Sequence, residues 1–206
     1  MAKRRKDDRN KKILIVVFMS IFMVSSIASI VMFYGNDNNS DSNKLTLTYN
    51  GKDYVFERKV DSLGYQSYDV SSGDRKFTVF YLPDQLSYID ADNYTKEKIM
   101  NSQTYYMVFD PEDPEAGFID YLRFELKRTF PTTKYFFEGI TNSSETYQLP
   151  VAGCMNATEY VPVIILESGN QTSISGSDNC IHVDFAPYDS ARIHDFMIYL
   201  LEGINV

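Results

Sequence analysis

Tryptophan is absent, and cysteine and histidine occur only twice each in the 206 residues. Two thiols and two imidazoles leave no zinc-spaced cysteine set to build on. P-loop, GxGxxG, HExxH and GxSxG patterns are missing as well. Phosphate-cradling, dinucleotide-binding, zincin and nucleophile-elbow chemistries therefore have no local signature, and no cofactor is expected. Charge is missing from one long stretch, the twenty-two residues from Ile13 to Tyr34. As a helix rising about 1.5 Å per residue, that stretch reaches roughly 33 Å, enough to cross the hydrocarbon core of a bilayer.

The residues before this run are basic: Lys3, Arg4, Arg5, Lys6, Arg9, Lys11 and Lys12 stand against Asp7 and Asp8. Positive charge beside a span marks the cytoplasmic side, so Gly35 onward is expected outside. A cleaved signal peptide is the competing reading, because Ser26-Ile27-Ala28 offers a small-x-small cleavage site. Signal cores run about 7–15 apolar residues, however, and here the apolar run continues through Phe33, which favours an uncleaved anchor. A pilin-like leader fits less well, since its assembly helix continues past the membrane, whereas this chain enters the polar stretch 35–43. The expected organisation is a basic cytoplasmic tail (1–12), a transmembrane helix (13–34), a flexible polar linker (35–43) and one extracytoplasmic domain (44–206). The expected location is the cell membrane, single-pass.

Basic residues are outnumbered throughout, 20 against 28, and beyond residue 12 the balance is 13 against 26. A surface carrying a net −13 repels polyphosphate, so nucleic acid is excluded as a partner. The expected partners are the membrane itself, through the N-terminal helix, and a protein or envelope component outside it.

Past the linker the pattern is first β. Leu45–Tyr49 alternates, Asn50-Gly51 supplies the positive-φ pair of a two-residue hairpin, and Tyr54–Phe56 returns. A second pair, 65–70 and 77–82, turns over Ser71–Asp74 and stops at Pro83. A short helix fits 91–100. From Thr104 the pattern changes. Tyr105–Phe109 is apolar on both faces, as a central strand should be. Asp113 is placed to cap a helix beginning at Pro114 and running to Arg128, with Phe118, Ile119, Leu122 and Leu126 inside. A strand over 134–140 then completes a parallel crossover. Turn residues at 168–170 and 176–179 predict a meander of strands near 161–167, 171–175 and 180–185. A last helix runs from Asp189 or Ser190 to Gly203. Its apolar stripe is Ile193, Met197, Leu200 and Ile204, and Arg192, Asp195, Tyr199 and Glu202 lie opposite. The fold class is α+β: a mixed β-sheet with packed helices and an N-terminal β extension.

Cys154 and Cys180 both lie on the expected outer side, where disulfides persist. In the meander, Cys180 returns to the end of the sheet at which the segment holding Cys154 arrives, so a bridge is expected. A catalytic thiol beside His182 is the alternative. Five acceptor triplets, at Asn38, Asn93, Asn142, Asn156 and Asn170, are candidate glycosylation sites if the host glycosylates.

The run Cys154–Ile174, then Asn179–Val183, then Leu200–Ile204 resembles the C-terminal half of uncharacterised single-pass membrane proteins of small-genome archaea. The segment from Phe109-Asp110-Pro111 through Phe118-Ile119-Asp120 to Leu126 is similar too, so the likeness covers about 104–206. It implies an archaeal cell-surface placement and a disulfide, and it implies no reaction.

Candidate chemistry is sparse. Cys180, His182 and Asp184 fall on one strand face by period two, but successive same-face residues stand roughly 7 Å apart, too far for direct catalytic hydrogen bonds. His194 falls between the two faces of the last helix, a boundary position. Asp110, Glu112, Asp113 and Glu115 crowd four carboxylates into six positions and are weak calcium candidates without EF-hand spacing; no other metal site is expected. The expected function is a membrane-tethered binding or structural module with no catalytic centre. Sixteen Tyr and fourteen Phe fit this reading, since aromatics beyond those filling the core can anchor an interface. A strand-rich core without tryptophan is their plainer account. The alternative is an extracytoplasmic hydrolase whose site assembles from residues distant in sequence, with His182 or His194 meeting a Ser or a carboxylate in a pocket.

Overall fold

The computed structural model describes residues 43–206, and Lys44–Val206 form one compact unit. The expected tail, transmembrane helix, nearly all of the linker and the Asn38 triplet lie outside the described residues. Among the described residues, no helix is long and apolar enough to cross a membrane.

The first four strands are β1 (Lys44–Tyr49), β2 (Lys52–Val60), β3 (Gln66–Ser72) and β4 (Arg75–Val79), an antiparallel sheet in chain order. Asn50 and Gly51 take φ of 49° and 75°. This positive-φ pair matches the twist of the flanking strands, as the sequence predicts. Burial alternates along the sheet: Tyr54 and Phe56, Tyr68 and Val70, Phe77 and Val79 point inward. One face is therefore core and the other is open to solvent. β4 ends three residues before the expected stop. The Phe80 and Tyr81 N–H groups leave the ladder and donate to the Asp195 carboxylate at 2.6 and 2.9 Å.

After β5 (Asp90–Ala91), helix α1 (Asn93–Asn101) starts at an Asp92 cap that accepts from the Thr95 N–H at 2.8 Å. Next come β6 (Thr104–Phe109), helix α2 (Ala116–Thr129), β7 (Tyr135–Ile140), β8 (Val163–Ser168), β9 (Ser173–Ser177), β10 (Cys180–Phe185) and helix α3 (Ser190–Glu202). The second sheet is mixed, in the order β5-β9-β10-β8-β6-β7. β6 and β7 pair in parallel across α2, as the strand–helix–strand pattern predicts.

Three expectations are corrected here. The last three strands are not a meander: β10 lies between β8 and β9, parallel to the first and antiparallel to the second. Burial explains the choice. Val163 to Leu166 of β8 and four residues of β10 are buried, whereas β9 contributes only Ile174. The two more apolar strands pair at the middle of the sheet, and the serine-rich β9 lies outward of them, between β10 and the two-residue β5. The second correction concerns α2, which begins at Ala116 rather than Pro114. Asp113 does not cap it; its carboxylate accepts from the Glu115 N–H at 2.7 Å and from the Ser168 hydroxyl at 2.7 Å, pinning the end of β8.

The third correction concerns α3. It ends at Gly203 (φ 82°) as expected, but every residue from Ile193 to Leu201 is buried. The face read as polar lies against the four-stranded sheet. Tyr199 packs on Phe56 with ring centroids 6.3 Å apart, and its hydroxyl donates to the Tyr81 carbonyl at 2.5 Å. Glu202 pairs with Arg75 at 2.6 Å, and the Tyr54 hydroxyl donates to the Glu202 carbonyl at 2.9 Å. A helix buried all round needs partners for its polar groups, and here those partners dock the N-terminal sheet. Residues of both sheets and all three helices accordingly share one hydrophobic core.

Candidate functional site

Two histidines anchor two separate constellations. The first lies at a cleft of about 740 Å³ between β4, the last turns of α2 and the first turns of α3. Its lining includes Lys76, Phe80, Tyr121, Arg128, Thr129 and His194. Phe80 and Tyr121 are exposed there (48% and 60%). Lys76 and Arg128 bring positive charge to an otherwise acidic chain, although Arg128 also pairs with Glu125 at 2.6 Å.

At the inner wall of the cleft, His194 Nδ1 lies 2.9 Å from Asp195 Oδ1, and Nε2 lies 3.3 Å from Thr129 Oγ1. Asp195 is wholly buried, and its other oxygen accepts from the Phe80 and Tyr81 N–H groups. Burial pushes its carboxyl above the usual carboxylate range, against the pull of His194 and the two backbone donors. An Asp–His–hydroxyl line is the arrangement from which a general base is built. The Thr129 hydroxyl also lies 2.9 Å from the Glu125 carbonyl, placed to donate to it, so two acceptors compete for its one proton.

The second constellation surrounds the disulfide. Cys154 and Cys180 are bonded, with Cα atoms 5.1 Å apart, as expected. The route differs from the one expected: parallel pairing sets Cys180 opposite Val163, which brings it beside the segment carrying Cys154. His182 lies closer than strand spacing alone predicts. Its Nε2 is 3.8 Å from Cys154 Sγ and 3.9 Å from Cys180 Sγ, because the imidazole leans along the strand toward the bridge. Its Nδ1 meets Glu167 Oε2 at 2.8 Å. Asp184 shares the face, and burial, followed by the nearby Glu167 charge, raises its carboxyl above the usual range while His182 opposes the rise.

The four calcium candidates are not gathered to a point. Asp110 Oδ1 accepts from the Glu112 N–H at 3.0 Å, and Asp113 is committed to Glu115 and Ser168. Burial pushes the Asp113 carboxyl up, but the Ser168 hydroxyl and the Glu115 and Ser168 N–H groups hold it below the usual range. Among the described residues, the one group of potential metal donors that converges is Cys154, Cys180 and His182. Asn93, Asn142, Asn156 and Asn170 are all exposed.

Sequence reasoning missed Glu167, Asp195, Thr129 and the cleft. Asp195 stands next to His194 in the chain, a visible signal, but a helical wheel put it on the opposite face. Glu167 had no signal, since its approach to His182 depends on β8 pairing with β10. Compared with known protein families, curated proteins and solved structures, the chain matches none.

Proposed function

We propose that this chain is a membrane-tethered extracytoplasmic binding module, and that it holds an anionic segment of an envelope or protein partner in the cleft between β4, α2 and α3. One observation carries the reading: exposed aromatic rings and cationic side chains share one concave surface on a domain that is acidic elsewhere. Aromatic rings and cations on the same lining suit a ligand that presents acidic groups on an apolar body. The charge asymmetry around residues 13–34 supports the tether, and the bridged cysteines support an oxidising compartment. Exposure of four acceptor asparagines is compatible with glycosylation.

Photo-crosslinking tests this directly. With a benzophenone side chain in place of Tyr121, the full chain in native membranes should form a discrete adduct. Lys76→Glu with Arg128→Glu should abolish it, and His182→Ala, on the other constellation, should not. An adduct indifferent to the charge reversal, or no adduct, overturns the reading.

The Asp195–His194–Thr129 line favours a second reading, an acyl-transfer hydrolase working in the same cleft. Thr129→Val keeps the shape and removes the hydroxyl. Loss of a turnover measured with the native protein on that substitution, with thermal unfolding unchanged, selects the hydrolase.

A further inference from the structure

We propose that Cys154, Cys180 and His182 form a redox-gated binding site for a thiophilic divalent cation of the Zn²⁺ class, closed while the disulfide stands and opened by a dithiol reductant. The three donor atoms already lie within 4.8 Å of one another. The Glu167 carboxylate on Nδ1 selects the tautomer whose Nε2 lone pair faces the two sulfurs. A carboxylate behind a ligating imidazole is the usual support of a metal-bound histidine, and it raises the ligand's basicity.

The frame permits the change that binding requires. Two Zn–S bonds of about 2.3 Å in tetrahedral geometry place the sulfurs roughly 3.8 Å apart, so the bonded pair must separate. Cys180 and His182 are fixed on β10, between two paired strands. Cys154 sits in an exposed single turn, Cys154–Asn156, and the preceding Gly153 has open space around it. The motion therefore falls to Cys154. With three protein ligands and an exposed flank, where Met155 is 99% accessible, the fourth position is left to water or an exogenous ligand.

The chemistry balances. The dithiol gives two electrons and two protons to the Cys154–Cys180 bond, yielding two protein thiols and the oxidised, disulfide form of the reductant. The cation then displaces both thiol protons to solvent and forms two metal–sulfur bonds and one metal–nitrogen bond.

The full chain, reduced on an immobilised dithiol and freed of it, should bind one Co²⁺ with a sulfur-to-cobalt charge-transfer band that Zn²⁺ abolishes. The unreduced chain should show no band. Glu167→Gln should weaken binding about 10- to 100-fold. His182→Ala should weaken it at least as much. A reduced chain with native circular dichroism and no band overturns the proposal, as does unchanged affinity in His182→Ala. So does a reduced chain that loses its near-ultraviolet dichroism and does not regain it with Zn²⁺.

Discussion

His194 and His182 each present Nδ1 to a carboxylate at nearly the same distance, 2.9 and 2.8 Å, yet the two pairs stand in opposite surroundings. In the cleft pair Asp195 is fully buried and His194 nearly so, with side-chain exposures of 0% and 11%. In the bridge pair His182 and Glu167 are 39% and 36% exposed. The carboxylate of the first is bound to the fold through two backbone N–H groups, while that of the second touches little besides its histidine. Local geometry alone therefore does not tell a structural pair from a ligand-ready one. What separates them is how many other donors depend on the carboxylate, and whether water can take its place.

The largest effect expected from this difference is at Asp195. Asp195→Ala strands two backbone N–H groups and one imidazole in the interior, and it should cost about 3–5 kcal/mol in urea unfolding. A loss below about 1 kcal/mol, the figure for exposed pairs, would erase the distinction between the two sites. Removing the bridge comes next. Cys154→Ser with Cys180→Ser frees a loop closed across 26 positions and should cost up to roughly 3.5 kcal/mol in the chain-entropy model. The same unfolding experiment reads that loss.

A subtler test uses pH. Burial holds the Asp195 carboxyl above its ordinary value of 3.8, so the folded chain keeps that proton where the unfolded chain has released it. The stability this contributes is fully present below about pH 3.8 and is lost as pH rises through the folded value. Asp195→Asn should lack that decline when urea midpoints are compared from pH 3 to 7. Identical profiles for the two proteins would place the carboxylate in water-like surroundings. The smallest effect belongs to the other pair. Glu167→Gln should change stability by less than about 1 kcal/mol, because both side chains of the pair are more than a third exposed and water can replace the contact. A larger loss would make Glu167 a structural residue like Asp195.

Some of this was legible before any coordinates. The Asn50-Gly51 hairpin, the β6–α2–β7 crossover, the Gly203 stop and the bridged cysteines all follow from local rules or compartment logic. The hairpin turn and the glycine stop are set by residues within four or five positions, so the chain states them directly. The start of α2 is not legible in that way, because Asp113 is held by Ser168, far along the chain. The strand order was not legible. The turn at Asp178-Asn179 joins β9 to β10 under any arrangement, and nothing nearby says whether β8 pairs with β9 or with β10. Buried area summed over the whole sheet decides that, and it favours the apolar β8 beside β10.

From the sequence alone came the α+β class, the bridge, and the expectation of an anchored domain with little catalytic equipment. Those readings rest on composition, on spacing along the chain and on short-range stereochemistry. Only the tertiary structure could turn the polar face of α3 into a buried docking surface, seat His194 at the wall of a cleft, and bring Glu167 to His182. Each of those pairs or faces joins elements whose relative placement the chain does not encode locally, because it is set by which surfaces are buried together once the whole chain has folded.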